Sequence, residues 1–178
     1  MRIVGGIYRS RKIQMVGVST TRETTDMVRE SVFNLLSMVR IEGKGLDLFS
    51  GSGAMGLEAI SRGLDYCYFN DMGKEAYKIT KENIKALGLE NKTTVHNNDY
   101  LKELNILNDN FDFIFLDPPY KLDCINNILE FLNEKLLKIG GYIVVEIEKD
   151  YQIKEFSNLI VYKDRTYGIR RIVILKKC

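Results

Sequence analysis

From Gly45 onward, strand-length apolar runs alternate with amphipathic helical stretches, and this alternation constrains the fold more than any other feature of the chain. Leu46–Phe49, Tyr66–Asn70, Thr93–His96, Phe111–Leu116 and Tyr142–Ile147 read as strands. The first helix between them follows a glycine-rich turn and runs to about Ser61. The next places Ala76, Ile79, Ile84 and Leu87 inward, with Gly88 at its C-terminal cap. Tyr100–Leu107 and a stretch carrying Ile125, Ile128, Leu129, Leu132 and Leu136 before Gly140-Gly141 complete the set. Phe111–Leu116 is almost continuously apolar, as a strand covered on both faces must be. Such an alternation predicts a parallel α/β sheet whose ligands bind at the carboxyl ends of the strands. Leu159–Tyr162 and Ile169–Lys176 add two further strands, with Tyr167-Gly168 as a turn.

Upstream of this region, residues 1–18 alternate apolar and basic positions around Gly5-Gly6 and Gly17, which suggests a short hairpin or arm. Thr24-Thr25 can cap a helix over Asp26–Val39 whose Val28, Val32, Leu35, Leu36 and Val39 share one face. The simplest organisation is one domain over residues 1–178, with a basic N-terminal extension (1–40) and a core (41–178). At 45% hydrophobic and 28% charged the composition is that of a soluble globular protein, and no apolar run approaches the length of a membrane span. Met1-Arg2-Ile3-Val4-Gly5-Gly6 resembles no signal peptide. Cys67, Cys124 and Cys178 form no CxxC pair and His96 stands alone, so neither a disulfide framework nor a metal site is expected, and a reducing cytoplasm fits.

The net charge of +2 hides a marked asymmetry. Residues 1–40 carry seven Lys/Arg against three Asp/Glu, and residues 163–178 carry six against one, which leaves the middle strongly acidic. Basic ends suit a polyanionic partner, and an acidic centre suits an uncharged or cationic ligand. No acid precedes Glu23, so Arg2, Arg9, Arg11, Lys12 and Arg22 form an acid-free basic segment that suits a polyanion, RNA among them. Arg29, on the polar side of the first helix, is open between cofactor pocket, RNA and solvent.

Gly51-Ser52-Gly53-Ala54-Met55-Gly56 matches G-x-G-x-x-G between a strand and a helix, where Gly51 permits the turn, Gly53 a close ligand approach and Gly56 helix-strand packing. A nicotinamide dinucleotide enzyme would also satisfy that motif. Asp47 argues otherwise, because a carboxylate in the first strand would repel a pyrophosphate and attract a sulfonium and an ammonium group. Asp71 after the second strand can accept hydrogen bonds from ribose hydroxyls. Asp99 after the third is placed for an adenine edge or as a helix N-cap.

Asp117-Pro118-Pro119-Tyr120 holds the only two prolines of the chain, at the end of the fourth strand. The pair fixes two φ angles and removes two donors, leaving rigid carbonyls. The Asp117 carboxylate and the Pro118 carbonyl can together accept both hydrogens of an exocyclic amine, while Tyr120 offers a face for a flipped base. An exocyclic amine needs that help, since its lone pair is delocalised into the ring and must be pyramidalised before it can attack.

Leu46-Asp47-Leu48-Phe49-Ser50-Gly51-Ser52-Gly53 together with Asp117-Pro118-Pro119-Tyr120 resembles the class I amino-methyltransferases, and the chain more narrowly resembles the RsmD family. The likeness extends through Met1–Gly6, Arg9–Lys12, Thr21–Asp26, Arg29–Asn34 and Gly56–Gly63. It implies a doubly wound, mostly parallel seven-stranded Rossmann-like sheet with a small N-terminal hairpin and helix extension. It further implies S-adenosylmethionine as cofactor and methyl transfer to the N2 amine of one guanine (nucleotide 966 in the family) of 16S ribosomal RNA. The partner would be the small subunit or an assembly intermediate, and the enzyme a cytoplasmic monomer. By resemblance Asp117, Pro118 and Tyr120 are the catalytic positions, and Asp47, Ser50, Gly51, Gly53, Asp71 and Asp99 surround the cofactor. The chain departs from the family at Glu23 (usually proline), Ser50 (usually alanine) and Asp71 (usually glutamate, one methylene longer).

A DNA adenine-N6 enzyme shares the chemistry but usually carries a recognition region for which this chain has no spare length. A nicotinamide dehydrogenase and a non-catalytic RNA-binding assembly factor are the alternatives of other classes. Calorimetry separates them: the chain is expected to bind S-adenosylmethionine and its demethylated product and not NAD. NAD binding without S-adenosylmethionine binding would exclude the methyltransferase reading.

Overall fold

The computed structural model describes residues 1–17, 26–119 and 124–178. In chain order the elements are α1 (Asp26–Leu35), β1 (Lys44–Asp47), α2 (Ala54–Ser61), β2 (Tyr66–Asn70), α3 (Lys74–Leu87), β3 (Thr93–His96), α4 (Tyr100–Ile106), β4 (Phe111–Leu116), α5 (Ile125–Phe131), β5 (Leu137–Glu148), β6 (Leu159–Tyr167) and β7 (Arg170–Lys177). The strands form one seven-stranded sheet in the order β3-β2-β1-β4-β5-β7-β6. The first five pair in parallel, and β7 pairs antiparallel with β5 and β6. This is the α/β sheet expected from the alternation of patterns, in the doubly wound, mostly parallel Rossmann-like form that the family resemblance implies.

Because successive residues of a strand face opposite sides, the sheet carries two apolar layers. Phe113, Phe115, Val144, Ile172 and Ile174 pack on one side with Val32, Phe33 and Leu36 around α1, with Leu57 and Ile60 of α2, and with Ile3 and Ile13 of the N-terminal segment. Leu46, Leu48, Ile114, Leu116, Ile143, Val145 and Val173 pack on the other with Leu104 of α4 and Ile125, Ile128 and Leu129 of α5.

Several boundaries differ from the sequence-based expectation, each for a local reason. Helix α1 stops at Leu35 rather than Val39, because the chain tightens into three-residue turns, with Ser37 N–H donating to Asn34 and Val39 N–H to Leu36. Strand β1 starts earlier, at Lys44, which pairs with Tyr66 and is followed by Gly45 opposite Phe113, and it ends at Asp47. Gly140-Gly141 lies within β5: the strand starts at Leu137, and the pairing with β4 shifts register beside the glycines, Gly140 having φ +80°. Helix α5 is shorter than its apolar pattern, which continues through a π-type turn over Leu132–Leu136. The proposed cap Thr24-Thr25 lies outside the described residues.

The N-terminal segment is a narrow hairpin, bridged at Arg2 and Lys12, laid along α2. Two of its backbone donors end on one side chain: Val4 N–H and Gly5 N–H each donate to Glu58 at 2.7 Å. Arg62 donates to the same carboxylate at 2.8 Å, and the Arg29 guanidinium lies 3.9 Å away. Ser61 continues the seam, accepting from Tyr8 N–H and donating to the Gly5 carbonyl. Arg29, left open by the sequence, is fully buried, donating to Asp26 and to the Arg2 carbonyl, and so does not face solvent. Burying a carboxylate costs stability unless such donors surround it.

Glu58→Ala is therefore expected to lower the unfolding free energy by roughly 3–5 kcal/mol, as breaking a buried ion network does. Urea titration measures the loss, and limited proteolysis should show the first 17 residues cleaved before the sheet.

Candidate active site at the carboxyl edge of the sheet

The sheet reverses its winding between β1 and β4, which lie side by side although β2 and β3 intervene in the chain. A crevice opens at such a point beyond the strand ends. Asp47 pairs with Phe115 in register, so the turn after β1 and the segment after β4 leave the sheet on either side of that crevice. The glycine motif and Asp117-Pro118-Pro119 are thus brought together from positions more than sixty residues apart.

The turn after β1 is a tight backbone structure. Gly51 and Gly53 have φ of +53° and +79°, where L side chains are strained, and Gly53 N–H donates to the Ser50 carbonyl at 2.6 Å. At Gly56 a Cβ would lie 2.4 Å from the Phe69 ring, so only glycine lets α2 sit against β2. A Cβ at Gly51 would meet nothing within 4 Å, which leaves open space in front of the turn. The turn is fastened from behind: Thr80 donates to the Gly51 carbonyl at 2.9 Å, and Asn83 donates to the Ser52 carbonyl at 2.9 Å. Asn83 also exchanges hydrogen bonds with Gln14, so α3 ties the turn to the N-terminal hairpin.

Asp47 is buried and accepts from Gly56 N–H at 3.0 Å. Burial pushes its carboxyl up to about 7; the Gly56 hydrogen bond opposes that shift, and the nearby Asp71 charge adds to it. Asp71, half-buried, accepts from Gly51 N–H at 2.9 Å and from Gly73 N–H at 2.8 Å. It therefore shapes the turn as well as standing at its rim. Asp99 caps α4 through Leu101 N–H at 2.9 Å, which realises the structural alternative for that residue. Ser50 is buried, and its Oγ has no partner among the described residues, an acceptor and donor left over beside the glycines. Asp117 is half-buried, Pro118 buried and Pro119 exposed. Tyr120 and Arg22 lie outside the described residues.

Other residues of this edge were not anticipated. Asn70, buried at the end of β2, donates to the Leu48 and Asn98 carbonyls and accepts from Asn98 N–H, clipping three strand ends together. Glu103, also buried, accepts from Asn98 and pairs with His96 at 2.7 Å, which gives the lone histidine a structural partner. Phe49 and Tyr100 form a tilted aromatic pair, 5.7 Å between centroids, beside the turn. A polar residue ending an apolar strand was the available signal for Asn70; nothing in the pattern marked Glu103. Of the candidate RNA residues, Arg2, Arg9, Arg11 and Lys12 are exposed on the hairpin, with Arg11 donating to the Ala86 carbonyl at 2.7 Å and Arg2 3.8 Å from Asp26.

A family model described as "Conserved hypothetical protein 95" matches residues 1–176. Ribosomal RNA small subunit methyltransferase D of Escherichia coli is 32% identical over 170 residues, 94% of this chain and 85% of its own. The chain belongs to the RsmD family. Its relatives include YlbH of Bacillus subtilis, 37% identical over 182 residues and 99% of each chain. The solved structure of yhhF from Escherichia coli superimposes with a TM-score of 0.89 at 27% identity, covering 99% of this chain and 97% of that one. The RsmD-family fold accounts for the order of the seven strands and for both motifs at one edge.

The Asp47 carboxyl gives a pH-dependent stability of definite sign. Its folded value of about 7 lies above the ordinary 3.8, so the stability held by the protonated form is complete below about pH 4. It is lost as pH rises to about 7. Asp47→Asn is expected to flatten the dependence across that window and to stabilise the free protein at pH 8 by on the order of 1–3 kcal/mol. Urea midpoints against pH check it.

Proposed function

We propose that the chain transfers a methyl group from S-adenosylmethionine to the exocyclic N2 amine of a guanine in 16S ribosomal RNA of the small subunit. The observation that carries this reading is the meeting of a buried acid and a glycine turn with an Asp-Pro-Pro segment at the reversal point of the sheet. Membership of the RsmD family supports rRNA as the substrate class. The residues fit the cofactor: open space stands before Gly51, and the leftover Ser50 Oγ and the rim carboxylate of Asp71 are polar groups suited to it. Ser50, Gly51 and Gly53 would hold it along the turn, with Asp71 toward the ribose and Asp99 toward the adenine. Asp47, which costs stability while ionised and alone, gains a cationic neighbour.

Bound S-adenosylmethionine supplies an electrophilic methyl group on a sulfonium. The protein's own task is to make a poor nucleophile competent. The Asp117 carboxylate accepts one amine hydrogen and the Pro118 carbonyl the other, which pyramidalises the nitrogen and aims its lone pair. The rigid proline pair holds the two acceptors in place without reorganisation. After transfer, one amine proton leaves toward the Asp117 side and solvent. Tyr120 supplies the stacking face for the extruded base.

Nucleoside mass mapping of 16S rRNA from cells with and without the gene tests the target directly. Loss of one N2-methylguanine is expected; an unchanged profile would refute it. Asp117→Ala should leave cofactor and RNA affinity nearly intact and reduce single-turnover rate at least roughly tenfold, from the 1.5–3 kcal/mol of a hydrogen bond to a charged acceptor. Asp117→Asn, keeping one oxygen, should fall between. Lost cofactor binding with normal turnover at saturation would make Asp117 a cofactor ligand instead.

A further inference from the structure

We propose that the β6–β7 hairpin is a second RNA-binding element, a single-strand platform that leads the target segment to the carboxyl edge. The candidate RNA residues named so far, Arg2, Arg9, Arg11, Lys12 and Arg22, all lie toward the opposite end of the chain; this inference rests on the rRNA reading and extends it. Three observations converge on the hairpin.

The first is position. Strand β5 runs parallel to β4, and Leu116 pairs with Val145; β5 then continues three residues further, to Glu148. Glu148 pairs with Arg170, and Arg170 with Tyr167. The turn at Tyr167-Gly168-Ile169 therefore overhangs the edge where Asp117 follows Leu116, and Lys149 N–H is held to the Ile169 carbonyl at 3.0 Å. The opposite end of the hairpin, around Leu159 and Lys177, lies at the far edge of the sheet.

The second is facing. Directly paired residues of antiparallel strands share a face. Lys163 pairs with Ile174, Arg165 with Ile172, and Tyr167 with Arg170. Ile172 and Ile174 point into the layer that holds the N-terminal hairpin, so Lys163, Arg165 and Tyr167 lie on the same side of the sheet as Arg9, Arg11 and Lys12.

The third is the state of these side chains. Arg170 and Arg171 are held by Glu146 and Asp164 at 2.6 Å each, and their charges are satisfied within the protein. Lys163 and Arg165 form no ion pair among the described residues: Lys163 lies over the Tyr162 ring, and Arg165 donates only to the neighbouring Asp164 carbonyl. At the tip Tyr167 is 39% and Ile169 58% exposed. Charges set on an edge strand can merely deter pairing with another sheet. That role gives no reason for an exposed aromatic and an exposed aliphatic residue at the end nearest the active site. Two unpaired cations along a strand and an aromatic at its tip suit phosphates followed by a stacked base.

The experiment uses full-length protein, small ribosomal subunits from cells lacking the gene, and a single-stranded RNA oligonucleotide. The variants are Lys163→Ala with Arg165→Ala, Tyr167→Ala and Tyr167→Phe, each matched to wild type by urea midpoint. The double variant is expected to raise KM for the subunit with kcat and S-adenosylmethionine affinity unchanged. Its log–log salt slope for oligonucleotide binding should fall by about 1.4, at about 0.7 per single-strand phosphate. Tyr167→Ala should weaken binding roughly 5- to 150-fold while Tyr167→Phe retains it. Unchanged KM and slope would overturn the proposal and leave the charges as edge protection. A raised KM for the particle with oligonucleotide binding untouched would also overturn it, by assigning the hairpin to a ribosomal protein. If wild type transfers no methyl to the subunit, the rRNA reading fails by itself, and the oligonucleotide arm still decides the hairpin.

Discussion

The carboxylate of Glu58 sits fully buried on α2, and it remains tolerable there only because the chain's own beginning is wrapped around it. Val4 and Gly5 N–H groups, the Arg62 side chain and the neighbouring Arg29 guanidinium all face it. Helix α2 opens at the glycine turn and has its N-terminus against Asp47, so whatever positions α2 positions the turn. The N-terminal hairpin is consequently part of the scaffold of the candidate site, and its exposed arginines stand on a segment hydrogen-bonded to α2 and α3. Asn83 reinforces the same link from α3, with one amide touching both the turn and Gln14.

The polar groups at the carboxyl edge divide into those that build and those left to act. Asn70, Asn98, Glu103 and His96 satisfy one another and hold the ends of β1, β2 and β3 at fixed spacing. Asp71 and Asp99 build in part, since each already accepts a backbone N–H. Asp47 and Ser50 are the groups whose burial is poorly compensated, one with a raised carboxyl pKa and one with an unpartnered hydroxyl. Buried polar groups that the fold leaves under-satisfied are where a ligand gains most. The same division separates Arg170 and Arg171, committed to Glu146 and Asp164, from Lys163 and Arg165.

The sheet strands in the middle of the chain were readable because their signal is local. Tyr66–Asn70, Thr93–His96 and Phe111–Leu116 have the expected limits; for Phe111–Leu116 the reason is that a strand covered on both faces needs a nearly unbroken apolar run and ends where polar residues resume. The glycine turn and Asp117-Pro118-Pro119 were readable for a similar reason, because backbone conformation dictates those residue types. Where pairing partners decide, the pattern misled: β5 begins five residues early, and β6 continues through Lys163-Asp164-Arg165, polar residues that a lone strand would not retain but that β7 holds.

Arg29 marks the boundary between the two kinds of information. Read along a helix it is one more cation on the polar side; in the fold it is enclosed by Met1, Arg2, Asp26 and Glu58, residues from three separate segments. The sequence by itself determined the fold class, the glycine turn, the Asp-Pro-Pro segment and the uneven charge, each being a matter of periodicity, backbone restriction or composition. Only the tertiary structure decided which charges are spent inside the molecule, that the N-terminal hairpin braces the glycine turn, and that a basic hairpin from the far end of the chain turns at the same edge of the sheet. Those outcomes depend on which distant side chain arrives within hydrogen-bond reach, and no local pattern along the chain encodes that distance.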